Sequence, residues 1–129
     1  MNGDTLTALD FERFYTASLE TDSLLTVATK QIRTPFNFGS VESHGDFITG
    51  VVEKPELVLE VVAGIYVMKP GILELVPDDT YYGVDQLIQE MIAAERPVNR
   101  YPVTEYWLDI GCVDDYSEAD HAYKTYFRD

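Results

Sequence analysis

The sequence predicts an α/β domain: a mixed sheet carrying a β-hairpin insertion. Segments with helical spacing alternate along the chain with β-prone runs, the pattern of a sheet covered by helices. Residues 58–68 form the most hydrophobic stretch and suit a central strand. Residues 40–43 and 47–53 flank the turn-forming His44-Gly45-Asp46, which reads as a hairpin. The 129 residues allow a single domain, 1–129, around one core.

Taken in order, Asn2-Gly3-Asp4 with Thr5-Leu6-Thr7 reads as a loop at the carboxyl end of a strand. Asp10 can cap a helix over 11–20, with Phe11, Phe14 and Tyr15 on one side and Glu12, Arg13 and Glu20 on the other. Residues 24–29 are apolar and β-prone enough for a buried strand, and Thr34-Pro35-Phe36-Asn37 breaks regular structure after it. Pro55 ends the second hairpin strand because it has no N–H for the ladder. Gly64, inside the hydrophobic run, marks a close approach to the backbone or a packing position. Pro70 suits the first turn of a short helix. Leu87, Ile88, Met91 and Ile92 carry helical periodicity within 84–95, and 98–103 reads as a strand. Asp114 or Asp115 can cap a last helix in which Tyr116, Ala119, Ala122, Tyr123 and Tyr126 keep helical spacing. The nine tyrosines follow core periodicity.

Charge narrows the function. The formal net charge is −14, from 23 acids against nine bases, so a phosphate backbone is repelled and nucleic-acid binding is disfavoured. A free nucleotide or sugar phosphate would need a metal ion or a localised base to offset that field. No apolar run is long enough to span a bilayer and no leader pattern opens the chain, which makes a cytoplasmic location, with no membrane partner, the expectation. The lone Cys112 cannot form an internal disulfide and is expected to be a buried thiol. His44 and His121 lack neighbours at ligand spacing and are expected at the surface.

The chemistry-bearing stretch is Tyr106-Trp107-Leu108-Asp109-Ile110-Gly111. Apolar neighbours would fix Asp109 at a strand end, where it either satisfies backbone donors or serves as a ligand for a hard cation such as Mg²⁺. In open α/β sheets ligands bind beyond the carboxyl ends of strands. Asp4 in its loop and Asp109 just past a strand could therefore share one Mg²⁺, with Lys54 facing a phosphate. Glu53 and Lys54 read equally as solvated surface.

Asn2-Gly3-Asp4, Phe38-Gly39-Ser40-Val41, Val52-Glu53-Lys54-Pro55, Ala63-Gly64-Ile65-Tyr66-Val67 and Tyr106 to Gly111 together resemble the sugar-phosphate nucleotidyltransferases. Within that family the chain looks most like the mannose-1-phosphate guanylyltransferase-like branch, with Asp115-Tyr116, Ala119 and Tyr123 to Phe127 similar to its closing helix. The resemblance implies a Rossmann-like mixed sheet and the joining of a sugar 1-phosphate to a nucleoside triphosphate, with release of pyrophosphate. It implies Asp4 and Asp109 as metal acids, Glu53 on sugar hydroxyls, Lys54 on the sugar phosphate, and Gly39 and Gly64 as points of backbone approach to the sugar. Two departures stand out. Val62 replaces the Asn that usually precedes Ala-Gly-Ile-Tyr, leaving the sugar unassigned, and nothing matches the glycine-rich nucleotide loop. The expectation is a partial nucleotidyltransferase, its N-terminal nucleotide-binding half absent, which meets a nucleoside triphosphate only with that half and does not turn over alone. The competing expectation is a sugar-phosphate-binding or assembly module without chemistry, self-associating through exposed sheet edges.

Overall fold

In the computed structural model, residues 1–127 are described, except for the Asp114 side chain. Strand β1 (Thr5–Thr7) is followed by helix α1 (Phe11–Leu19), β2 (Leu25–Pro35), β3 (Ser40–His44), β4 (Phe47–Val52) and β5 (Glu56–Met68). A 3-10 helix over Pro70–Leu75, α2 (Val84–Ala93), β6 (Val98–Pro102), β7 (Trp107–Asp109) and α3 (Val113–Tyr126) complete the order. Thr5 to Thr7 is therefore a strand where the sequence suggested a loop, because β7 supplies its ladder partner. The chain divides into two compact units, Met1–Lys30 with Val62–Asp129, and Gln31–Val61.

A three-stranded sheet has the order β5-β2-β6, with β2 and β6 parallel and Leu25 opposite Val98. The central strand is thus β2, and the more hydrophobic β5 lies at the edge. Leu25 to Ala28 of β2 are all buried, as a strand covered on both faces requires; on β5 the buried run is Ala63 to Ile65, and Leu57, Val58 and Leu59 are exposed. Strand β2 also runs on through Thr34 and Pro35, where a break was expected; those residues are exposed, and an edge or strand end tolerates a proline.

In the first unit the core has two clusters. Leu9, Phe14, Ala28, Ala63, Ile65 and Val103 form one, with Trp107 and Tyr101 packed against it. Leu25, Val27, Ile72, Leu87 and Met91 form the other. Helix α1 starts as expected, with Asp10 Oδ1 accepting from the Arg13 N–H at 2.9 Å. Its buried stripe is Phe14 and Ser18 at i and i+4, while Phe11 and Tyr15 stay exposed, which narrows the expected apolar side. Ser18 is tolerated inside because its hydroxyl donates back to the Phe14 carbonyl at 2.7 Å.

The second unit holds the β3–β4 hairpin, antiparallel from Ser40 opposite Val52 to His44 opposite Phe47. Gly45 turns it at φ +59, a left-handed conformation that glycine adopts without penalty. None of residues 31–61 is fully buried.

Candidate substrate and metal site

The β1–β7 pair is the frame of the site. Residues from opposite ends of the sequence meet here: Thr5 lies opposite Asp109, and the Ile110 N–H donates to the Asp4 carbonyl at 2.8 Å. Asp109 is the last residue of β7 rather than a loop residue beyond it. Asp4 stands in the turn that opens β1. Both acids are exposed, and among the described residues neither carboxylate has a hydrogen-bond partner.

Packing fixes β7 from one side. Trp107 lies against the first core cluster and its Nε1–H donates to the Ala63 carbonyl at 2.9 Å. The next residue, Gly64, is buried at φ +71, and its carbonyl accepts from the Asn2 N–H at 2.8 Å. A Cβ on Gly64 would stand 2.8 Å from Asn2 Nδ2. The close approach expected at Gly64 is thus made by Asn2, two residues before Asp4. Lys30 holds the segment leading into β7, its ammonium donating to the carbonyls of Val103 at 3.2 Å and Glu105 at 2.6 Å.

The turn after Asp109 is tied by Asp115. Its Oδ2 accepts from the N–H groups of Gly111 at 2.9 Å and Cys112 at 2.8 Å. The Cys112 thiol, followed by these backbone donors, holds the Asp115 carboxyl below the usual carboxylate range. Cys112 is the residue that precedes α3, so Asp115 sits at the third helical position and reaches back, in place of capping the helix itself. The Asp114 side chain lies outside the described residues. Cys112 is exposed, against the expectation of a buried thiol. Among the described residues of α3, Ala119 and Ala122 are buried while Tyr116, Tyr123 and Tyr126 are exposed; Tyr66, Tyr82 and Tyr101 are partly buried against the core clusters, so the core reading of the tyrosines holds for those three and not for α3. Tyr106 stacks on Tyr126 at 4.7 Å, and burial, then Glu118 and Tyr126, push its phenol up. His44 and His121 are exposed as expected.

In the second unit, Gly39 and Glu53 flank the open end of the hairpin. A Cβ on Gly39 would lie 3.4 Å from Glu53 Oε2 and 3.8 Å from the Val52 carbonyl. Lys54 follows at φ +46, a left-handed backbone that costs a lysine on the order of 1–2 kcal/mol. Strain of this kind persists where surrounding structure imposes it, often at ligand-binding positions. Glu53 and Lys54 are both exposed.

Sequence reasoning named Asp4, Asp109 and the Glu53-Lys54 pair as candidates and missed Asn2, Lys30, Thr5 and the Trp107 N–H as structural partners. Asn2 stands beside Asp4, which was a usable signal; nothing near Lys30 announces carbonyls more than 70 positions away.

The first unit is a mixed α/β arrangement in which Asp4 precedes β1 and Asp109 ends β7. The nucleotidyl transferase family model matches residues 1–125, and the chain belongs to that family. It is 28% identical over 116 residues to a Sulfolobus acidocaldarius protein assigned as a mannose-1-phosphate guanyltransferase, covering 88% of this chain and 32% of the relative. It is 26% identical over 133 aligned positions to a glucose-1-phosphate adenylyltransferase of Halalkalibacterium halodurans, covering 93% of this chain and 34% of the relative. Both relatives are sugar-phosphate nucleotidyltransferases, and the chain spans about a third of their length. Among solved structures, HddC from Yersinia pseudotuberculosis superposes with a TM-score of 0.62 at 25% identity, covering 95% of this chain and 53% of HddC. No helix among the described residues is long and apolar enough to cross a membrane.

Proposed function

We propose that this chain is the sugar-phosphate and metal-binding part of a nucleotidyltransferase that joins a sugar 1-phosphate to a nucleoside triphosphate, giving a nucleotide sugar and pyrophosphate. The mannose-1-phosphate guanylyltransferase-like assignment rests on the Sulfolobus relative and on the motif order. The observation that carries the reading is the β1–β7 pairing, which brings the neighbourhood of Asp4 beside Asp109.

The donor set suits Mg²⁺. Among the described residues no group of three or more His, Cys, Asp or Glu gathers as a closed metal centre. Two exposed carboxylates without other partners match an ion that keeps several waters and takes one or two carboxylates plus phosphate oxygens. A bound cation would supply charge compensation for the phosphates. Asp4 and Asp109 would hold it. Glu53 accepts hydrogen bonds from sugar hydroxyls, Lys54 meets the sugar phosphate, and Gly39 leaves room for backbone contact; at Gly64 the expected room is taken by Asn2. Placement and charge compensation are the protein's share of this chemistry. In this reading the triphosphate is gripped by residues other than those of this chain.

Isothermal titration of the chain with mannose 1-phosphate and glucose 1-phosphate, with and without Mg²⁺, tests the proposal. Binding that strengthens with Mg²⁺ and is lost in Asp109→Asn supports it; no binding under either condition overturns it. A pyrophosphate-release assay with several nucleoside triphosphates is expected to stay silent for the chain alone.

A second reading, assembly through the sheet edge, is favoured by β5, whose Leu57, Val58 and Leu59 are exposed at the edge of its sheet. Light scattering that shows only monomer at high concentration counts against it.

A further inference from the structure

Strand β1 carries two threonines on one face, and the structure treats them differently. The Thr7 hydroxyl donates to the Tyr106 carbonyl at 2.8 Å and accepts from the Leu9 N–H at 3.1 Å. The Thr5 oxygen is buried with no hydrogen-bond partner. A buried hydroxyl left unpaired costs about 1–3 kcal/mol, so its retention asks for a partner that arrives later.

The ladder says where that partner stands. The Ile110–Asp4 and Ala8–Tyr106 hydrogen bonds fix alternate residue pairs as the bonded ones. Thr5 and Asp109 therefore form a non-bonded pair, the kind in which facing side chains come closest, with α-carbons about 4.5 Å apart. The pleat gives the position opposite Asp109 to Thr5 and not to Asp4. The facing Asp109 carboxylate is the nearest acceptor the ladder offers; the two groups are not hydrogen-bonded in this structure, and a side-chain rotation would join them.

We infer that Thr5 is a positioning residue for Asp109, its hydroxyl donating to one carboxylate oxygen so that the other is presented to a divalent cation. The inference rests on the metal-acid reading of Asp109 given above. Ligating carboxylates are commonly held in this way by outer partners, and removing such a partner typically costs about 10–100-fold in metal affinity.

The test is Mn²⁺ binding, followed by the loss of its free-ion electron paramagnetic resonance signal, because Mn²⁺ shares the carboxylate preference of Mg²⁺. Thr5→Val keeps the shape and removes the hydroxyl; Thr5→Ser keeps the hydroxyl. The expected result is roughly tenfold weaker binding in Thr5→Val, affinity within a few-fold of wild type in Thr5→Ser, and a melting temperature in Thr5→Val that is unchanged or raised. A folded Thr5→Val with wild-type Mn²⁺ affinity overturns the role of Thr5 while leaving Asp109 as a ligand. Absence of Mn²⁺ binding in the wild-type chain overturns both.

Discussion

Asn2 covers the one face of Gly64 on which any other residue would carry its side chain. The position is closed twice, by its φ of +71 and by Asn2 Nδ2 at 2.8 Å from a hypothetical Cβ. Gly64→Ala should lose about 1–2 kcal/mol from the backbone conformation, with a further loss from the clash. Urea unfolding measures the sum. Adding Asn2→Gly should restore the steric part only; full restoration would mean that backbone strain contributes nothing.

Trp107→Phe keeps a ring against the core but removes the donor to Ala63, whose residue is wholly buried. The orphaned carbonyl predicts a loss of about 1–3 kcal/mol. Because Trp107 anchors the strand that ends in Asp109, divalent affinity should fall with it, read in the same Mn²⁺ titration.

Asp115 should give the chain an acid-sensitive turn. Its folded carboxyl titrates below the ordinary value of 3.8, so its stabilising contribution is complete above that pH and disappears as pH falls through the lowered folded value. The difference in urea midpoint between wild type and Asp115→Ala should therefore be flat at neutral pH and shrink in acid below 3.8. A difference that grows in acid would contradict the assignment.

Lys54 and Glu95 make a matched comparison. Both are left-handed, at φ +46 and +54. Glu95 follows the end of α2, where its N–H donates to the Ile92 carbonyl and the Arg96 N–H to that of Met91, the setting in which glycine is usual. Glycine at either position should stabilise by about 1 kcal/mol, seen as a raised unfolding midpoint. Only Lys54→Gly should weaken sugar 1-phosphate binding; equal binding by both variants would remove Lys54 from the site.

The elements were legible wherever local signals sufficed. Asp10 announced α1, the Gly45 turn announced its hairpin, and the Leu87/Met91 spacing announced α2. Strand order was not, because hydrophobicity alone cannot tell a strand buried by neighbours from an apolar one left at an edge; hence β2 rather than β5 at the centre. Asp4 and Asp109 were named as candidates from their expected places at strand ends and from motif resemblance, and the pairing of their segments depends on a register between Thr5 and Asp109 that no local window contains. Cys112 went wrong for a related reason: a residue just before a helix is placed by the cap, and Asp115, three positions on, decided it.

Strand β2 passes from burial at Leu25 to Ala28 to exposure from Gln31 onward, and no residue of 31–61 is fully buried. A segment without a buried interior resists opening through its ladder bonds and exposed contacts such as the Arg33–Glu56 ion pair and the Phe36–Phe38 edge contact. Amide deuteration along this single strand should accordingly rise within a few positions, from sites that report global unfolding to sites that exchange through local fluctuation. The hairpin beyond it would then be the first stretch that a protease nicks.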